Sequence, residues 1–273
     1  MHLSAPSKAV RTAPGKTPLQ PASLYPCWAN SARDVRAAQS LRRSVFFDEM
    51  GARPANDRCT AEALDVDHFD AFCDHLLIKV RDSSGLGDDP VVGTYRVLSP
   101  DAASKAGGYY TDTEFDLRSW HALGQRAAEL GRSCVHRDWR RGGVIMMLWT
   151  ALGAYMQARG LDTLIGCCSV PLSDDGASAR ALWKGLSRTH LVGEASRVFP
   201  RTPFDVAPID GDPTGAGSSP PMPALMKGYL RCGARLLGAP AHDAAFNTAD
   251  FPMMLHLTDL SPSYRHHFVG SES

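Results

Sequence analysis

No long apolar run, no CxxC pair and no excess of either charge sign occurs in the 273 residues. The most apolar stretch, Val144 to Met156, is 13 residues long and is interrupted by Thr150 and Gly153, whereas a membrane span needs about 20. Lys plus Arg and Asp plus Glu both number 29, so the basic excess of a nucleic-acid binder is missing. The seven cysteines (Cys27, Cys59, Cys73, Cys134, Cys167, Cys168 and Cys232) are odd in number, and no apolar secretory segment precedes them. That pattern predicts a reduced, cytoplasmic compartment rather than a disulfide framework. HExxH is absent, and Cys134-x-His136 alone is a weak ligand signal, so no metal is expected. No GK[ST] follows the basic turn described below and GxGxxG is absent, which excludes a P-loop there and a dinucleotide fingerprint.

What remains is an ordinary globular composition, 44% hydrophobic and 21% charged, with enough chain to bury a sizeable core. Residues 1–30 read as a disordered basic leader. Its first 26 positions hold five prolines and three basic residues, and the first acid of the chain is Asp34. A weak tether to anionic lipid is the functional option for that segment. Residues 31–268 read as one domain of mixed strands and helices, α/β or α+β, with a Pro/Gly-rich loop at 199–223 inside it.

Periodicity predicts a helix from Ala32 to Met50 capped by Ser31, and a hairpin of two strands, His75–Val80 and Val91–Leu98. A strand edge is expected at Tyr109–Phe115 and strands at Arg132–His136 and Leu164–Val170. Helices are expected at 144–159 (closed by Gly160), Ala177–Ser187 and Ala224–Gly233, and a last strand at Phe251–Leu257.

The informative block is a strand, a basic Gly-containing turn and a helix. Val135 closes the strand, Arg137, Arg140, Arg141, Gly142 and Gly143 make the turn, and Val144 opens the helix. A helix start presents unpaired N–H groups and the positive end of the helix dipole, and glycine lets an anion approach the backbone. The alternative is a surface turn with solvated arginines.

That block resembles the acyl-donor motif of the GNAT N-acyltransferases, with Arg140-x-Gly142-Gly143 as a relaxed form of its usual spacing. Further segments are similar to one family within it, the bacterial L-ornithine Nα-acyltransferases. They are Ala37 to Phe46 with Glu49-Met-Gly51, Asp67-His-Phe-Asp70, Cys73 to Leu76, Val92 to Leu98, Glu114-Phe-Asp116, Glu129-Leu-Gly-Arg132, Pro223 to Gly233 and Phe246 to Asp250. The resemblance covers residues 31–268. It implies a GNAT fold and transfer of a 3-hydroxyacyl chain from acyl carrier protein to the α-amine of L-ornithine, giving lyso-ornithine lipid. The implied donor group is the carrier's phosphopantetheine, with no other cofactor and no nucleic acid. An amphiphilic product implies transient contact of a cytoplasmic protein with the inner membrane.

The acyl-homoserine-lactone synthases are a related family. By resemblance to them Arg43, Asp67, Asp70, Arg96, Glu129 and Arg132 take corresponding positions, but the Trp usual after their Val-Phe element is missing between Phe46 and Asp70. In the implied reaction Glu129 is the first candidate for the base, Glu114 the second, and Arg132 joins them. For either acid the alternative is a structural carboxylate, Glu129 pairing with Arg132 or Arg96. Asp67 and Asp70 are candidates to hold the cationic amino acid, or else cap a helix. Arg43 and Arg96 are candidates for its carboxylate, or else partners of those aspartates. Val135, Arg137, Arg140, Arg141, Gly142 and Gly143 are the donor-binding candidates. Cys134, Cys167 and Cys168 read as packing residues rather than acyl carriers. Two other readings stay open: an enzyme of this fold with another amine acceptor, and a non-catalytic module that binds acyl carrier protein.

Overall fold

The computed structural model describes residues 23–53, 63–81, 88–118, 126–141, 143–207, 221–261 and 264–265. Its elements in chain order are β1 (Leu24–Trp28), α1 (Ala32–Arg43), β2 (Asp74–Val80), β3 (Val91–Leu98), α2 (Pro100–Ala106), α3 (Thr111–Glu114), β4 (Phe115–Asp116), β5 (Ala127–Val135), α4 (Val144–Ala158), β6 (Thr163–Pro171), α5 (Ala177–Thr189), β7 (Phe199–Pro200), α6 (Ala224–Cys232), β8 (Arg235–Leu236), β9 (Ala241–Asp243) and β10 (Thr248–His256).

One sheet runs in the order β1-β2-β3-β5-β6-β10-β8, with β9 also on β10, while β4 and β7 pair separately. Every neighbour in the main sheet is antiparallel except β5 and β6. Alternation along the strands sorts two cores. Leu76, Ile78, Tyr95, Val97, Ala128, Leu164, Cys168 and Val170 face one side, with Leu148, Leu152 and Met156 of α4. Leu98, Ala127 and Ile165 face the other, with Phe69, Tyr109 and Phe115. Helix α4 lies close to the sheet because Gly93 has no side chain: a Cβ there would stand 2.5 Å from a Val144 methyl.

The parallel pair is short. Ala127, Ala128 and Glu129 pair with Thr163, Leu164 and Ile165, and then the strands part. Beyond that point β5 stays with β3 and β6 stays with β10. Gly166 sits at the fork, where a Cβ would lie 2.4 Å from the Leu130 carbonyl oxygen. On its other edge β5 carries a bulge. Thr94 faces Cys134 but Arg96 faces Gly131, and Arg132 adopts φ 50° to accommodate the extra residue.

Three expectations are corrected. Strand β1 falls inside the segment read as a disordered leader, pairing Leu24 to Trp28 with Val80 to Leu76. Proline obscured it, yet β1 is an edge strand, where Pro26 lacks only an N–H that the sheet does not need. The stretch at 109–115 is a helical turn, α3, followed by two strand residues, because the carboxylate of Glu129 holds the N–H groups of Tyr110 and Thr111. The helix expected to Met50 is α-helical to Arg43 and widens to a π-helix over Ser44–Glu49. Ser31 caps it, its side chain accepting from the Asp34 N–H. Most of the 199–223 loop, residues 208–220, lies outside the described residues, as do residues 1–22 of the leader and Gly142. Among the described residues no helix is long and apolar enough to cross a membrane.

Candidate active site

Where β5 and β6 part, a cleft of about 540 Å³ opens. Leu130 to Val135 of β5 form one wall, Cys167 to Ser169 of β6 and Thr248 and Asp250 of β10 the other, and Tyr229, Phe46 and Phe246 close it. The N–H of His136 donates to Val92 on β3 at 2.9 Å. Neighbouring N–H groups of a strand point to opposite edges, so that of Val135 is turned into the cleft, where β6 no longer pairs with it.

The donor turn follows directly. Arg137–Trp139 form a 3-10 turn, and Gly143 at φ 75° opens α4. Arg140 lines the cleft. Its Nε donates to the Val135 carbonyl at 3.1 Å, and its outer nitrogen pairs with Glu49 at 2.7 Å. Arg137 stands 3.8 Å from the same carboxylate, and Arg141 is exposed. Glu49 therefore occupies the arginines that a phosphate would engage, in a half-exposed exchangeable pair.

Under the cleft lies a network of three guanidiniums and three carboxylates. Arg42 donates to Asp65 Oδ2 at 2.7 Å and to both Asp70 oxygens at 2.7 and 2.9 Å. Arg96 donates to Asp67 at 2.5 Å and Asp70 at 3.1 Å. Arg132 donates to Asp67 at 3.1 Å, and its Nε, 3.3 Å from Asp65, has no hydrogen-bond partner. Burial alone would raise the Asp67 and Asp70 carboxyls. Arg96 and Arg132 at Asp67, and chiefly Arg42 at Asp70, outweigh it and hold both below the ordinary range. The two acids also form a capping box on the turn at His68–Ala71. Asp67, Asp70 and Arg96 thus follow their structural alternative: they neutralise one another and leave no carboxylate over for a substrate cation.

Arg43 is not part of this group. Its neighbour Arg42 is 1% exposed, whereas Arg43 points outward to Asp48 and lies over the Phe47 ring. The two are adjacent on α1, so only one can face the sheet, and the burial pattern that places Leu41 and Ala38 inward selects Arg42.

Glu129 lines the cleft but is tied on both oxygens. Oε2 accepts from Tyr110 N–H at 2.6 Å, and Oε1 from Thr111 N–H at 2.6 Å and from the Thr111 hydroxyl. It pairs with neither Arg132 nor Arg96. Burial raises its carboxyl, against those hydrogen bonds and the field of Arg96. Glu114 is the opposite case: both carboxylate oxygens are sealed from solvent, and the donors facing them are the uncharged Tyr110 and Cys167 side chains. Burial raises it strongly, and Asp250 nearby adds to the rise. Asp250, 4% exposed, accepts from the Thr248 hydroxyl at 2.7 Å and is raised too, first by burial.

The sequence did not single out Asp250, Asp243 or Arg42. Asp250 and Asp243 sit on strands whose neighbours could not be assigned without the topology. The only signal was an acid in the apolar run from Ala249 to Leu255.

Glu114, Asp250 and Cys167 bring three donor atoms within 4.8 Å of one another. Burial pushes the Cys167 thiol well above its usual value and those of Cys134 and Cys168 up to about 12. A protonated thiol is a poor nucleophile, so the cleft favours direct transfer over an acyl-cysteine.

A sheet forked between two parallel strands, with a donor turn at the helix beyond the fork, defines an acyltransferase of the GNAT class. Residues 41–150 match the acetyltransferase (GNAT) domain family. The chain belongs to the L-ornithine Nα-acyltransferase family. It is 34% identical over 260 residues to the L-ornithine N(alpha)-acyltransferase of Agrobacterium fabrum, covering 89% of this chain and 84% of that one. It is 36% identical over 247 residues to the protein of that name from Rhodobacter capsulatus, covering 88% and 93%. Among solved structures, an N-acyl amino acid synthase from uncultured soil microbes, FeeM, covers 88% of this chain and 96% of its own at 11% identity and TM-score 0.48.

Proposed function

We propose that the protein transfers a 3-hydroxyacyl chain from the phosphopantetheine thioester of acyl carrier protein to the α-amine of L-ornithine, forming lyso-ornithine lipid. The observation that carries the reading is the fork itself. It sets a free Val135 N–H beside the donor turn, in a cleft open to an amine from the other side.

In this reading the phosphate of the donor arm meets the start of α4 and displaces Glu49 from Arg140 and Arg137. Arg141 adds charge toward the acidic carrier. The thioester carbonyl oxygen takes its hydrogen bond from Val135 N–H, which strengthens as the oxygen gains charge. The α-ammonium loses a proton to solvent, the neutral amine attacks the carbonyl, the C–N bond forms and the C–S bond breaks, and the carrier leaves as its thiol. Glu129 is a positioning residue that fixes the Tyr110–Thr111 corner. In this reading an amphiphilic product brings a cytoplasmic protein into passing contact with the inner membrane.

The test is purified protein with 3-hydroxyacyl carrier protein and a panel of amines, reading thiol release and product mass. Release with ornithine is expected. Release only with another amine would move the acceptor, and no release with any amine or chain length would overturn the enzymatic reading.

A further inference from the structure

We infer that Glu114, Asp243 and Asp250 form the subsite that receives the side-chain ammonium of a dibasic acceptor. This rests on the proposed reaction and names the part of the site that selects its substrate.

Charge balance carries the first step. The three aspartates under the cleft are matched by three guanidiniums at hydrogen-bond distance. The second trio has no such match: among the described residues none of Glu114, Asp243 and Asp250 takes part in an ion pair. The Asp243 carboxylate accepts only the N–H groups of Ala245 and Phe246. Asp250 takes hydroxyl hydrogen bonds from Thr248 and Ser169.

The second step is independent of the clustering. Both oxygens of Glu114 are shut off from water, and the donors facing them are the uncharged Tyr110 and Cys167 side chains rather than a cation. A buried carboxyl without a countercharge costs stability when ionised, and that cost is relieved when a cation arrives. An ammonium brings three N–H donors and one positive charge, which suits a site of three carboxyls better than any single hydroxyl or amide.

The third step is position. Asp243 and Asp250 line the cleft on the β10 side. Asp243 and Glu114 line a second hollow of about 350 Å³, which shares Tyr110, Arg132 and Phe246 with the cleft. An amino acid held in the cleft therefore has the trio within reach of its side chain. Both the Glu114 and Asp250 carboxyls are raised, so the empty site holds a proton. An entering ammonium takes that proton's place and leaves the buried charge neutralised.

The experiment compares ornithine with norvaline, which has the same backbone and three side-chain carbons but no terminal amine. Both are offered to the wild-type protein and to Glu114→Gln and Asp250→Asn, with kcat/KM as the readout. The wild type should prefer ornithine by at least ~100-fold, as expected of a site whose buried polar groups lose their partner. Each variant should bring that ratio down to about 10 or less, mainly through the KM of ornithine. Loss of the same factor with both amines would overturn the proposal, since a base or a structural role acts on both. A wild-type ratio near 1 would overturn it without any variant, which covers the case in which the variants fail to fold. Ornithine binding by calorimetry gives a reading independent of turnover. Heat with ornithine and none with norvaline supports the subsite, and equal heats refute it. Failure of the proposed reaction shows instead as no thiol release with any amine.

Discussion

A buried carboxyl without a countercharge leaves a mark on the stability of the folded chain, apart from any chemistry. In Glu114→Gln the titrating group is removed and a neutral side chain of similar shape takes its place. Burial, then Asp250, raise the Glu114 carboxyl above its unfolded value. Between the ordinary carboxylate range and the raised value the folded protein therefore holds a proton that the unfolded chain has released. Stability falls as pH rises through that window, by at most about 1.4 kcal/mol per pH unit for one proton. From pH 5 to 7 the wild type should lose about 2–3 kcal/mol more than Glu114→Gln, while the raised carboxyls of Glu129 and Asp250 slope stability the same way in both proteins. The depressed acids do not confuse the measurement. Asp67 and Asp70 give stability that is present above their unfolded values and is lost only as pH falls below the ordinary range. Urea denaturation of both proteins at half-unit pH steps provides the test. Curves that run parallel from pH 5 to 8 would show a solvated or ion-paired Glu114, and would refute the reasoning about its surroundings.

Other substitutions separate the remaining parts of the site. Arg42→Met leaves Asp65 and Asp70 without their nearest cation and should cost about 3–5 kcal/mol in urea denaturation, whereas Arg43→Ala, on a half-exposed pair, should stay within about 0.5 kcal/mol. Gly166→Ala drives a Cβ to 2.4 Å from the Leu130 oxygen; strand shifts at the fork should cost about 1–3 kcal/mol and lower thiol release with every acceptor. Glu49→Gln frees Arg140 and should lower the KM for acyl carrier protein, while Arg140→Ala should raise it, with the difference shrinking at high salt.

The legible parts of the fold were those set by periodicity and turn chemistry. The hairpin β2–β3, the helix closed by Gly160 and the strand β6 follow from side-chain patterns that packing reinforced. Strand β1 was hidden because proline count is a poor guide at a sheet edge, and α3 because a distant glutamate, not local sequence, holds its first N–H groups. The site divides the same way. The donor turn is contiguous in sequence, so a pattern of arginines and glycines shows it. The acceptor side is assembled from α1, the turn before β2, β3, α3, β5 and β10, and no spacing in the sequence reports which acids there meet which arginines. Asp67 and Asp70 are close in sequence to no basic residue that would betray their pairing. Asp250 looks like one polar position in an apolar strand.

Neutralisation is what separates the two acidic groups in function. A substrate cation gains little from carboxylates already held by guanidiniums, because it would have to displace a buried partner at a cost comparable to what it gains. Carboxyls that lack a cationic partner are available at no such cost, and the folded protein bears the penalty of keeping them so. The Arg42–Arg96–Arg132 network with its aspartates then acts as a rigid floor of the cleft, and the Glu114–Asp243–Asp250 trio as the place without a countercharge. Stability given up at one point of a structure is expected where a ligand completes it, and here that point lies beside the fork where the acyl group arrives.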